Sequence, residues 1–86
     1  MTVLSKHAKE QAARRGLSDD VVLAVAATPE QRLLIRPGRE LRQSRVAMPA
    51  GGTFYLIRVV VDVDPGYETV VTVYRTSKIE KYWSKT

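Results

Sequence analysis

Apolar and polar positions follow two periods in succession along the chain, helical first and alternating afterwards. Residues 5–15 mix Ala with Lys, Glu, Gln and Arg, all good helix formers, with Ser5 placed to cap the segment and Gly16 to end it. Leu17 then leads into Ser18-Asp19-Asp20-Val21-Val22. Ser18 suits an N-cap, the two aspartates suit the positive helix end, and Leu17 with Val22 forms a hydrophobic staple. This second helix is expected to run through Ala27 and to stop at Thr28-Pro29.

After Pro29 the pattern predicts antiparallel sheet. Residues 31–36 form a short strand, and Pro37-Gly38 a turn. Residues 39–48 form a second, polar strand closed by Pro49-Ala50-Gly51-Gly52. Residues 53–63 are β-branched or aromatic almost throughout and give the strongest strand signal. Asp64-Pro65-Gly66-Tyr67 is a turn, and residues 68–76 are the last strand. The expected fold is α+β, with two N-terminal helices packed on one face of a four-stranded antiparallel sheet (order ααββββ), as one domain over residues 1–86.

If the last turn sets Asp64 opposite Tyr67, Val59 pairs with Thr72, Ile57 with Tyr74 and Tyr55 with Thr76. Tyr55, Ile57, Val59, Val61, Val63, Val70, Thr72, Tyr74 and Thr76 then share the better core face. Phe54, Leu56, Arg58, Val60, Asp62, Val71, Val73 and Arg75 share the other. A slip of one residue in the turn would exchange these sets.

Composition narrows the chemistry. The chain has 86 residues, 44% of them hydrophobic, enough for one core and too many for a disordered segment. Cysteine is absent and there is one histidine, so no disulfide, thiolate or structural zinc site is expected, and no cofactor. The core must carry stability alone or with help from self-association, such as a homodimer. The formal net charge is +5, and nine of the fourteen cations are arginine. Such a surface favours an anionic partner, either nucleic acid or an acidic protein, or else serves only solubility. The N-terminus has no apolar signal core and no segment nears the ~18 apolar residues that cross a bilayer, so a cytoplasmic protein without membrane contact is expected.

Four groups of residues are candidates for chemistry. His7, Gln11 and Arg14 or Arg15 form one helical stripe, in which the imidazole could move protons and a guanidinium could hold phosphate; alternatively His7 is a plain surface residue. Arg58 interrupts an otherwise apolar strand, so it must pair with an anion such as Asp62 or a helix carboxylate, or open onto a cleft. Arg32, Arg36, Arg39, Arg42 and Arg45 could track a phosphate backbone or blunt an edge strand. The closing run Tyr74-Arg75-Thr76-Ser77-Lys78-Ile79-Glu80-Lys81-Tyr82-Trp83 combines hydroxyls, cations and rings suited to phosphates and bases, while Ile79 and Trp83 are expected to close the core. Gly51-Gly52 lacks the lysine and helix of a phosphate loop, and no serine sits in a nucleophile-elbow context.

Ser5-Lys6-His7-Ala8, Arg15-Gly16-Leu17-Ser18, Leu56-Ile57-Arg58-Val59-Val60 and Thr72-Val73-Tyr74-Arg75-Thr76-Ser77-Lys78-Ile79-Glu80-Lys81-Tyr82 together resemble a family of short bacterial proteins, common in cyanobacteria and catalogued as a domain of unknown function. In order of elements that family is similar to the BrnT and RelE toxins, within the barnase–EndoU–colicin–RelE group of metal-independent ribonucleases. The resemblance implies cleavage of RNA by attack of the ribose 2′-hydroxyl on the adjacent phosphate, by a toxin held by an acidic antitoxin protein. It implies His7 as general acid or base, Arg58 as a catalytic cation, and Thr76 and Ser77 as catalytic hydroxyls. Arg15, Arg45, Arg75, Lys78 and Tyr82 would bind substrate. Gln11 departs from the pattern, which has a basic residue there. A non-catalytic module binding nucleic acid or an acidic protein needs the same charge without His7.

Overall fold

The computed structural model describes residues 1–48 and 52–85. Eight elements follow in order: β1 (Thr2–Leu4), α1 (Lys6–Arg14), α2 (Asp19–Ala27), β2 (Gln31–Arg36), β3 (Arg39–Ala47), β4 (Phe54–Asp64), β5 (Tyr67–Thr76) and α3 (Ile79–Tyr82). The caps expected of Ser5 and Ser18 form, each hydroxyl accepting a backbone N–H three residues on, at 3.0 and 3.2 Å. Gly16 ends α1 at φ 69°, a left-handed turn that a side chain would strain. The expected Pro49-Ala50-Gly51-Gly52 connection lies outside the described residues at positions 49–51.

The α+β class holds, but the four-stranded antiparallel sheet does not. The sheet is five-stranded and mixed, ordered β1-β5-β4-β3-β2, with β1 parallel to β5 and the other pairs antiparallel. The missing strand is Thr2–Leu4, whose three residues give too short a pattern to read alone. Its addition moves β5 from the sheet edge to the interior, and leaves β2 as the far edge.

The β4–β5 register is as expected from the turn through Val61↔Val70, and shifts by one from Val60↔Thr72 onward. Val71 is the extra residue, a β-bulge. Beyond it Val59 faces Val73, Ile57 faces Arg75 and Arg58 faces Tyr74. The predicted partners Thr72, Tyr74 and Thr76 therefore move to the Arg58 face, and Val73 moves into the core. That core joins Ala8, Ala12, Leu17, Val22, Val25 and Ala26 to Ile57, Val59, Val61, Val70 and Val73, all buried between α1, α2 and one face of the sheet. Alternation along β4 and β3 puts Leu56, Arg58, Gln43 and Arg45 on the opposite face, where Leu56 is also fully buried.

Buried polar groups on the helix side are satisfied. Arg42, 1% exposed, donates to Glu68 through both terminal nitrogens (2.8 and 2.6 Å), to Glu40 at 3.0 Å and to the Ala26 carbonyl at 2.8 Å. No described helix is long and apolar enough to cross a membrane.

Candidate nucleic-acid interface

The sheet face opposite α1 and α2 carries a polar lattice that the closing segment folds onto. Gln43 and Arg58 are cross-strand neighbours, and Arg58 Nε donates to Gln43 Oε1 at 3.0 Å. Gln43 Nε2 donates in turn to Gln31 Oε1 (2.7 Å) and to the Tyr82 carbonyl (3.2 Å). Gln31 Nε2 donates to the Ser84 carbonyl at 2.8 Å, while its Oε1 accepts the Ser84 N–H at 3.0 Å. Two glutamines of the sheet thus fasten the backbone on either side of Trp83. A four-residue helix could not hold this position by its own hydrogen bonds.

Arg58 sits at the centre. Its guanidinium lies over the Tyr82 ring, 4.4 Å from the centroid, and Tyr82 meets Tyr74 edge-on at 6.2 Å. Tyr74 is covered by the guanidinium of Arg15 at 4.7 Å. The result is a line of two rings with a cation at each end, Arg15–Tyr74–Tyr82–Arg58, running from the end of α1 across the sheet. Asp62, the acid expected beside Arg58, instead holds Arg39 through two hydrogen bonds of 2.6 and 2.9 Å.

Among the described residues no carboxylate reaches Arg58. Burial lowers its pKa from the usual arginine value, with Tyr82 and Tyr74 opposing the shift, and the group stays cationic at neutral pH. Among the described residues only Nε of its five N–H donors has a partner. No buried side-chain nitrogen or oxygen among the described residues lacks a partner, so the terminal nitrogens of Arg58 reach solvent. A half-buried guanidinium whose terminal nitrogens keep contact with solvent is a suitable seat for a phosphate.

The other predicted residues are placed differently. Arg45 is held by Glu30 (2.8 and 3.2 Å) and lies over Trp83, 4.5 Å from the ring centroid. Glu30 is correspondingly held below the ordinary carboxylate range by its bonds to Arg45. Arg75 faces the helix side and covers Tyr55 at 4.8 Å. The Thr76 hydroxyl accepts the Lys78 N–H at 3.1 Å, closing a local turn, and Ser77 and Lys78 are exposed beside it. His7 is exposed on the first turn of α1, about 12 Å along the axis from Arg15 at about 1.5 Å per residue. None of its side-chain contacts among the described residues joins it to Arg58, Thr76 or Ser77.

Gln11 has a structural task. Past Leu4 the outer edge of β5 is uncovered, and Gln11 Oε1 accepts the Val73 N–H there at 2.8 Å. A lysine or arginine has no acceptor and could not do this. Beside it, Gln11, Arg14 and Arg15 line a cleft of about 200 Å³.

The sequence reading missed Gln31, Gln43 and Trp83 as parts of this face. Gln43 meets Arg58 only once the β3–β4 register is known, and that register depends on the connection at residues 48–53. Among the described residues no cluster of three or more histidine or acidic side chains is arranged to hold a metal ion.

No curated protein and no solved structure matches the chain. Residues 4–75, from the end of β1 through the Arg58 strand to Arg75, match the family model described as a domain of unknown function, DUF4258, and the chain belongs to that family.

Proposed function

We propose that this domain binds RNA across the Arg58 face and cleaves it without a metal, in the manner of the RelE and BrnT toxins that its order of elements resembles. The observation that carries the reading is Arg58, half-buried and cationic, without a carboxylate among the described residues, its guanidinium over Tyr82 and its terminal nitrogens reaching solvent. In this reading the phosphate lies on the Arg58 fork, where the fixed charge stabilises the negative charge that grows as the 2′-hydroxyl attacks. Arg15 extends the cationic track toward α1, and His7 supplies the proton-transfer group for a strand that continues along that helix. A cytoplasmic setting and an acidic antitoxin covering the same face belong to this proposal.

A second reading, a non-catalytic RNA-binding module, is favoured by two specific observations. The Thr76 hydroxyl is committed to a turn and His7 stands apart from Arg58. Incubation of the protein with total RNA in EDTA, alongside His7→Ala and Arg58→Ala, separates the two. Cleavage lost in both variants supports the ribonuclease. Salt-dependent binding without cleavage, lost in Arg58→Ala but kept in His7→Ala, supports the module. Absence of both cleavage and binding rejects the two readings together.

A further inference from the structure

Trp83 is the chain's one tryptophan, and its sequence context suggests a core residue, yet it is absent from the buried cluster between helices and sheet. It is half-buried on the opposite side of the sheet and borders a cavity of about 460 Å³ lined by Arg45, Ile79, Glu80, Trp83 and Lys85. The ring is held from three directions. Arg45 covers it at 4.5 Å and is itself fixed by two side-chain bonds to Glu30. Gln43 fastens the carbonyl before it, and Gln31 fastens both the N–H and the carbonyl of the residue after it. Three hydrogen bonds from two glutamines of the sheet and one ion pair thus hold an indole that the apolar core does not use. An aromatic plane that is rigid before binding loses little entropy when a flat ligand stacks on it.

The chemistry around the ring is mixed in a way that suits a nucleobase. Ile79 supplies apolar wall, Glu80 an acceptor, and Lys85 a donor, at the edge of a space large enough for a base and its ribose. A base offers a π-face to the indole and both donors and acceptors at its rim. The Arg58 fork lies on the same side of the sheet, tied to this segment through Gln43, which bonds Arg58 on one side and the Tyr82 carbonyl on the other. Phosphate and base sites are therefore built on one hydrogen-bonded lattice.

We infer that the Trp83 cavity is a subsite for an unpaired nucleobase, a purine by stacking area, of a single RNA strand whose phosphate lies on Arg58. This rests on the RNA-binding reading and adds to it that the substrate is single-stranded. Bases paired in a duplex are stacked on each other and cannot lie on an indole.

Because Trp83 is the sole tryptophan, its fluorescence reports this site directly in the full chain. Oligoadenylate, oligouridylate and an abasic ribose-phosphate strand, each of about ten nucleotides, are titrated while binding is followed separately by anisotropy of an end label. The expected result is saturable quenching by oligoadenylate, less by oligouridylate and none by the abasic strand. Trp83→Ala should weaken oligoadenylate binding about tenfold or more and leave the abasic strand unaffected, while Trp83→Phe keeps most of the affinity. Binding of all three strands with unchanged fluorescence, or equal quenching by the abasic strand, overturns the base subsite and leaves RNA binding standing. Binding of none of them by anisotropy overturns the RNA reading and the subsite with it.

Discussion

Arg58 and Tyr74 face each other across β4 and β5 because Val71 bulges out of the ladder three residues before Tyr74. Without that extra residue Tyr74 would point toward α1, and Arg58 would lose the ring next to Tyr82. The bulge is thus what turns a strand with an awkward cation into one end of a cation–aromatic line. Bulges commonly re-aim side chains beside functional sites in this way.

Removing Arg58 should affect ligand more than fold. Its desolvation is offset by one hydrogen bond and one ring, so Arg58→Met is expected to leave the thermal midpoint within a few degrees of wild type. The same variant should bind RNA more weakly at every sequence tested and lower the log–log salt slope by about 1, the loss of one phosphate contact. Binding isotherms at a series of salt concentrations check both.

The Arg42 cluster should be the most fragile polar feature. Among the described residues, Arg42→Ala leaves the Ala26 carbonyl without its side-chain donor, Glu68 with only the Thr2 hydroxyl and Glu40 with only Arg32, and is expected to cost about 3–5 kcal/mol in denaturant unfolding. Replacing Arg42 together with its bidentate partner, Arg42→Met with Glu68→Leu, should recover most of that loss, since Glu40 stays paired with Arg32 and no uncompensated charge remains.

Acid should unfold the protein partly through Glu68. Its hydrogen bonds to Arg42 hold its pKa below the ordinary 4.5, so the folded state binds fewer protons than the unfolded state in that range. The stabilisation is fully present above the unfolded value and is lost as pH falls through the lower folded value. Unfolding followed between neutral pH and strong acid should therefore show a steeper acid loss for wild type than for Glu68→Gln.

Gln11→Arg restores the cation that the family resemblance leads one to expect, and should still be harmful. The arginine cannot accept the Val73 N–H, so about 1 kcal/mol of stability should be lost and the Val73 amide should exchange faster with deuterium. Gln11→Glu, which keeps an acceptor, should preserve the protection.

His7→Ala is expected to change stability by less than about 0.5 kcal/mol, as an exposed position does. Unaltered RNA affinity together with lost cleavage would identify His7 as a proton-transfer group. Unaltered cleavage would remove it from the chemistry.

Much of this molecule was legible in its sequence. Ser5, Ser18, Gly16 and Pro29 set the bounds of the two helices, and Gly38 and Gly66 with their preceding prolines set two hairpins, because caps and turns depend on a few neighbouring residues. The oddity of Arg58 was visible too, as a charge inside a β-branched run. Tertiary structure decided the rest. Thr2–Leu4 becomes a strand only where β5 offers a parallel edge, and Gln11 matters only because that strand stops short of Val73. The face of Tyr74 hangs on one unpaired residue, Val71, which local propensity does not mark. The position of Trp83 depends on Gln31 and Gln43, 52 and 40 residues away in the chain. Sequence specifies contacts within a turn or two directly; contacts across the sheet follow from register, and a shift of one residue reverses the face of every side chain beyond it.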